Sequence, residues 1–367
     1  MPPPILQNLL RKTPSVAPIL NRGVLAVTGS HSTEFLNGLL SSSVREPVRN
    51  RYSSFLHAQG RVMYDVFLYA ATNGYFLEYD SRASEAPPLL SYLKRHVLRS
   101  KVKIRNMADE YDIWAAWGSS EDTQWETGRQ WDWARSGAIE PVWNATHDWP
   151  WGTREGIIHD RRAVGMGSRL LVKKGTQPQA IATHDIVSSD EYVLHRIMHG
   201  VPEGIHDIPP MQSFPMDSNL DVMGAVDFRK GCYVGQELTV RTYHTGVIRK
   251  RILPVTIHKP AQEICEDPPL QFPHNLDLKP VSVNPDRQGP RPRGTGKLLS
   301  THKGVGLALL RMEHVSGVQQ GDLRLEFEVS NAGDKTSTWI ASPWWPDWWP
   351  QEPQQRVESE VDPSSDL

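Results

Sequence analysis

Cysteine is nearly absent from this chain. Cys232 and Cys265 are the only two in 367 residues, and their surroundings differ, so no disulfide framework is available and a reducing compartment is expected. There is no C-x-x-C pair, which removes thioredoxin-like exchange. Four thiolates are likewise missing, so the chain cannot by itself be a conventional iron-sulfur carrier, its 14 histidines being scattered. Charge of one sign is lacking too: 40 basic against 42 acidic residues leave −2, so no global field draws the protein to nucleic acid or to a membrane surface. Any polyanion site must be local. No apolar run approaches the roughly 18 residues that span a bilayer. With 38% hydrophobic and 22% charged residues, two or three globular domains are expected.

The most informative stretch present is Lys230-Gly231-Cys232-Tyr233-Val234-Gly235-Gln236-Glu237. It sets a cysteine between two glycines, after Arg229 and Lys230, at the start of a predicted helix over 236–243. Glycines permit a tight turn and close approach, while cations and a helix N-terminus favour a thiolate. Gln236 and Glu237 would complement the helix dipole, and Arg241, one turn beyond Glu237, would pair with it. A protease would need a base, and the nearest histidine, His244, comes with no local nucleophile signature. A buried structural cysteine is the other reading; one ligand to a cluster shared with another protein is the metal reading. Asp65 is the second candidate. It lies inside the apolar stretch Val62 to Tyr69 just after Gly60-Arg61, where it is either a general base, an anchor for a heterocyclic amine, or an outward-facing strand residue.

Apolar periodicity and turn residues predict strands at 22–27, 52–58, 62–70, 75–79 and 101–106. Helices are expected after Ser32 and after Ser84, the latter with Pro87 and Pro88 in its first turn. This βαβββαβ order is that of a split βαβ, ferredoxin-like unit. Strands at 156–159 and 169–172 and a helix from 191 to 199, stopped by Gly200, follow. Eight of the 13 tryptophans fall between Trp114 and Trp151, and read as core and inter-domain packing or as a stacking platform. From Val247 the chain reads as strands without a helix between them, hence a small barrel or sandwich. It is interrupted by a mobile insertion, 260–294, with eight prolines and a basic end at Arg287, Arg291, Arg293 and Lys297 that reads as a solvated loop or as a site for a phosphate or an acidic partner. The domains expected are thus an N-terminal extension (1–20), two α/β subdomains (21–110 and 111–246), the barrel (247–345) and a disordered acidic tail (346–367). Residues 1–15 carry Arg11 and Lys12 and no acid, a pattern similar to the end of a mitochondrial transit peptide.

The chain resembles the YgfZ-type folate-binding proteins, relatives of the aminomethyltransferase (GcvT) of the glycine cleavage system. Within that group it looks most like the mitochondrial branch of late-acting iron-sulfur cluster assembly factors. Lys230 to Glu237 matches the family's K-G-C-Y-x-G-Q-E signature without a departure. Gly29 to Leu40 follows its G-x-x-x-x-x-F-L-x-G-L-L pattern, and Gly60-Arg61 followed by Asp65 completes the likeness, which runs from about Asn21 to Ser342. The resemblance implies an α+β fold with ferredoxin-like subdomains around a central cavity that binds tetrahydrofolate, plus a C-terminal β-barrel. It also implies maturation of 4Fe-4S proteins in the mitochondrial matrix together with A-type scaffold proteins; the charge balance adds the expectation of no nucleic-acid or membrane partner, and no classical turnover is expected. Under it Cys232 meets a shared cluster, while Asp65 and Arg61 are the folate candidates. The enzymes of the group carry an Asp-Asp pair where this chain has Tyr64-Asp65. The rival function is a folate-dependent aminomethyl or one-carbon transferase using Asp65.

Overall fold

The computed structural model describes residues 4–120, 129–143, 149–260, 272–283, 293–330 and 336–351. A 3-10 turn, Pro4–Leu9, leads into β1 (Ser15–Pro18). The segment expected to be a terminal extension is therefore built into a sheet, with Val16 and Ala17 fully buried. A four-residue strand next to Pro14 is too short for a period-2 pattern to register.

The first α/β unit holds β2 (Arg22–Thr28), α1 (Ser32–Asn37), β3 (Arg51–Leu56), β4 (Val62–Ala71), β5 (Gly74–Asp80), α2 (Leu89–His96) and β6 (Lys103–Asn106). The sheet order is β3-β4-β5-β2-β6 with antiparallel neighbours throughout. Because β5 separates them, β2 and β4 run parallel across the α1 connection, which is the split βαβ arrangement with β3 added at one edge. Leu36 and Leu93 from the helices, with Leu40 just past α1, meet Leu25, Val27, Leu68 and Leu77 in one core. Two caps differ from expectation. His31, not Ser32, precedes α1, and Ser84 caps nothing: its hydroxyl accepts from the Ala86 N–H (3.3 Å) while α2 begins only at Leu89. Each proline biases the residue before it away from helical geometry, so Pro87-Pro88 postpones the start.

The second unit contains β7 (Tyr111–Trp117), β8 (Gln130–Trp133), β9 (Ile139–Val142), β10 (Ile157–His159), β11 (Ser168–Lys173), β12 (Asp185–Ile186), α3 (Ser189–Met198), α4 (Gly204–Asp207) and α5 (Gln236–Thr245). Its sheet, β10-β11-β7-β1-β12, takes its fourth strand from the N-terminal segment, and β8-β9 is a separate hairpin. Gly200, at φ 69°, ends α3 as the sequence suggests.

A closed six-stranded barrel follows, β13 (Lys250–His258), β14 (Leu276–Ser282), β15 (Gly296–His302), β16 (Val305–Arg311), β17 (Leu323–Ser330) and β18 (Thr336–Pro343), in the order β13-β16-β15-β14-β17-β18. Two corrections arise here. The proline-rich stretch supplies β14, whose Leu278 is fully buried, because prolines and lysines mask a strand that only its barrel neighbours fix. A helix, α6 (Met312–Gln319), lies between barrel strands. Its valines and Gly317 are weak helix formers, so packing of Val315 on the barrel core holds it rather than propensity. Cys265, Arg287, Arg291 and the residues after 351 lie outside the described residues, whereas 346–351, expected to be disordered, is packed: Trp349 is buried and Trp348 donates to the His199 carbonyl (2.8 Å). No helix among the described residues is long and apolar enough to cross a membrane.

Candidate functional site

The signature loop is anchored on both sides of an exposed cysteine. Lys230 turns inward, and its ammonium donates to the carbonyls of Asn37 (2.7 Å), which the end of α1 leaves without a helical partner, and of Leu40 (2.7 Å) and Ser42 (3.1 Å) in the segment after it. Burial pushes this lysine down to about 8. The expected partner of the thiol is thus a structural cap, and Arg229 is paired with Asp132 of β8. Tyr233 is buried beneath Lys230, its N–H donates to Gln236 Oε1 (3.1 Å), and the Val234 N–H donates to the Gly38 carbonyl (3.2 Å). Gly235, at φ 82°, caps α5 where a Cβ would sit 2.3 Å from the His57 carbonyl. Gly231 has open space around it, and Cys232, beside it, is an exposed free thiol. Glu237 and Arg241 form no ion pair; both are exposed, where a helical pair gains little over hydration.

A cleft of about 390 Å³ adjoins the loop through residues 41–43 and 227. Its walls bring Arg45, Arg49 and Arg51 from the first unit against Trp143, Trp149 and Trp151 from the second, with Glu140 and Asp227 at its side. Trp149 donates to the Asn50 carbonyl (2.6 Å), and the guanidinium groups of Arg49 and Arg51 lie 4.9 and 5.2 Å from its ring centre. Part of the tryptophan-rich segment is therefore a stacking wall, of which Trp151 is also buried in the core, while Trp117 is core alone. Four buried polar atoms of this cleft have no partner: Ser42 Oγ, Ser43 Oγ, Arg51 Nε and Tyr52 Oη. Burial also lowers Arg51 to about 10. Unpaired buried polar groups are costly, so this is a surface shaped for a polar, aromatic ligand. Sequence reasoning did not single out the arginines; their signal is the spacing Arg45, Arg49, Arg51 ahead of a tryptophan cluster.

Asp65 and Arg61 do not line that cleft. Arg61 sits over the Phe214 ring at 5.8 Å. Asp65 is buried on β4, so it is no outward-facing strand residue: one oxygen faces Arg22 (3.3 Å) and the other accepts from the Gly204 N–H (3.1 Å). Burial, only partly countered by Arg22, raises its carboxyl above the ordinary value. It belongs to a buried array. Arg22 also binds Glu78 (2.8 Å), Arg169 pairs with Glu78, and both Arg162 and Arg169 lie 2.8 Å from Glu203 Oε2. Tyr192 donates to the same oxygen of Glu203 (2.9 Å), and Asp160 holds Arg162 (2.7 Å). Burial alone would raise Glu203, but Arg169, Arg162 and Arg22 outweigh it and hold the carboxyl well below the usual range. Among the described residues no group of three or more His, Cys, Asp or Glu side chains is placed to hold a metal ion.

Two α/β units closed by a barrel, with a glycine-framed loop beside an inter-domain cleft, define a protein of the aminomethyltransferase-like fold. The crystal structure of glycine cleavage system aminomethyltransferase T from Bartonella henselae superposes with a TM-score of 0.60 at 14% identity, over 91% of this chain and 86% of that one, a likeness of fold alone. Residues 249–351 match the model of the CAF17 C-terminal beta-barrel domain. The protein named mitochondrial iron-sulfur cluster assembly factor IBA57 homolog from Cryptococcus neoformans (strain JEC21) is 38% identical over 82% of this chain and 84% of its own length. Its namesake from Mycosarcoma maydis is 34% identical over 95% and 87%. The chain belongs to this IBA57 family of iron-sulfur cluster assembly factors.

Proposed function

We propose that this chain is a mitochondrial iron-sulfur cluster assembly factor that acts late, in the matrix, in the maturation of 4Fe-4S proteins, and that Cys232 is its ligand to a cluster shared with an A-type scaffold. The observation that carries this reading is the exposed thiol at the open tip of a loop otherwise tied down by Lys230, Tyr233 and Gly235. A rigid loop presents a sulfur without ordering cost on binding. One thiolate is an incomplete coordination set, and the cluster is cargo whose other ligands come from the partner. The relatives' names support the broader role in mitochondrial iron-sulfur cluster assembly. Mixing the protein anaerobically with a cluster-loaded A-type scaffold and following visible absorption tests it. The wild type should form a mixed complex with a changed spectrum, and Cys232→Ser should not. A Cys232→Ser protein that still matures a 4Fe-4S client at the wild-type rate would defeat the ligand role.

Tetrahydrofolate is the small molecule this reading places in the tryptophan–arginine cleft. Its residues fit: a pterin stacks on indole and pairs with a carboxylate such as Asp227 or Glu140, and the glutamate tail takes Arg45, Arg49 or Arg51. The unpartnered Ser42, Ser43 and Tyr52 oxygens add hydrogen-bonding sites. When bound, the folate would supply a carrier for one-carbon units. Asp65, with both oxygens engaged away from the cleft, supports a structural role better than that of an acid or base for such a transfer.

A further inference from the structure

A basic rim runs from the end of α2 through the following turn onto β6, the edge strand of the first sheet. Lys94, Arg95, Arg99, Lys101, Lys103 and Arg105 fall within twelve residues that contain no acid, and all six are exposed. Only Arg105 has an ion-pair partner among the described residues, Glu110 at 2.8 Å. At the apex stands Leu98, 88% exposed, in the left-handed region at φ 44° just past the end of α2. That position is ordinarily a glycine or asparagine, and a leucine that does occupy it would be expected to fold back onto the helix. Leu98 does neither. Its backbone is nonetheless held firmly: the Ser100 N–H donates to the Val97 carbonyl (2.8 Å), the Lys101 N–H to His31 Nδ1 (3.2 Å), and Val97 and Val102 pack into the core on either side.

Lysines on an edge strand discourage strand pairing, which accounts for Lys103 and Arg105. It does not account for Arg95, Arg99 or a leucine held outward in a disfavoured conformation. We propose that this rim is a peripheral docking surface for an anionic lipid bilayer, with the cations in the headgroup layer and Leu98 entering the acyl boundary. The pattern of cations around a single aliphatic tip fits a lipid surface. The rim has no exposed aromatic ring for stacking on bases, and a protein interface would place charge at its margin rather than throughout. The surface is local, so the chain's −2 net charge does not oppose it.

The test is sedimentation of the full chain with phosphatidylcholine vesicles, with the same vesicles carrying one-third phosphatidylglycerol, and with double-stranded DNA or polyglutamate as soluble polyanions. Binding to the anionic vesicles alone, weakened by added salt, is the expected result. Leu98→Asn, which relieves the backbone and should leave the melting temperature unchanged or higher, is expected to weaken vesicle binding about tenfold. Arg95→Glu with Arg99→Glu should weaken it at least about twenty-fold. No vesicle binding, equal binding to neutral vesicles, or binding to vesicles or a polyanion that Leu98→Asn leaves unchanged would overturn the proposal.

Discussion

Gly60 and Gly235 face each other across the contact between the β3–β4 turn and the start of α5. A Cβ on Gly60 would lie 2.9 Å from Leu238 Cβ and 3.1 Å from the Gly235 carbonyl, and a Cβ on Gly235 would lie 2.3 Å from the His57 carbonyl. Both have positive φ, 78° and 82°. The two glycine elements of the sequence signature are thus two halves of one close approach that sets where the cysteine loop stands. Gly235→Ala is expected to destabilise the fold by about 2–4 kcal/mol, from the left-handed backbone and a backbone clash together. Gly231→Ala, with open space and no left-handed backbone, should stay within about 1 kcal/mol of wild type in denaturant unfolding. Equal losses in the two variants would refute this assignment.

Lys230 is a cap, not a companion of the sulfur. Lys230→Met keeps the aliphatic stem but leaves three carbonyls around the end of α1 without their donor, an expected loss of about 2–3 kcal/mol. The discriminating measurement is hydrogen exchange at neutral pH: amides of residues 35–42 should lose protection before those of α5 do.

Glu203 is the counter-charge for two fully buried arginines. Glu203→Gln should cost about 3–5 kcal/mol at neutral pH, because Arg162 and Arg169 lose a shared anion in a dry site. The pH dependence has a definite sign. Glu203 and Glu78 are held below their ordinary value near 4.5, so the stability they add is complete above that pH and is lost as pH falls through their lowered values. Asp65 is shifted the other way and gains protons in the folded state first, so it opposes part of that loss. Unfolding midpoints measured down from neutral pH should fall in acid for the wild type, and less steeply for Glu203→Gln.

What could be read from the sequence was what local pattern carries. The β3–β4 hairpin is marked by Gln59-Gly60 between apolar runs, the buried face of α1 by Phe35 and Leu36, and the loop by its two glycines. What escaped depends on distant partners. Strand β1 exists because β7 and β12 flank it, and β14 because β15 and β17 do. Nothing near Lys230 in the chain announces that its ammonium reaches back to residue 37, and nothing near Asp65 announces Arg22 or Gly204. The cleft joins arginines and tryptophans about a hundred residues apart, and nothing in the chain near either group announces the other.

Trp149 and Asp65 separate the two places a folate could be sought. Trp149 forms the cleft wall under Arg49 and Arg51 and donates to the Asn50 carbonyl; Asp65 lies in the buried array. If the cleft is the folate site, Trp149→Ala should weaken tetrahydrofolate binding by tenfold or more, since a stacked ring and the ordering of two guanidinium groups are lost together. Asp65→Asn keeps an acceptor for the Gly204 N–H and leaves Arg22 bonded to Glu78, so folate affinity should stay within about twofold while the melting temperature falls. Calorimetric titration of both variants decides the matter. Affinity lost in Asp65→Asn and kept in Trp149→Ala would move the ligand out of the cleft and toward the strand, and would restore a direct role for the carboxylate in one-carbon transfer.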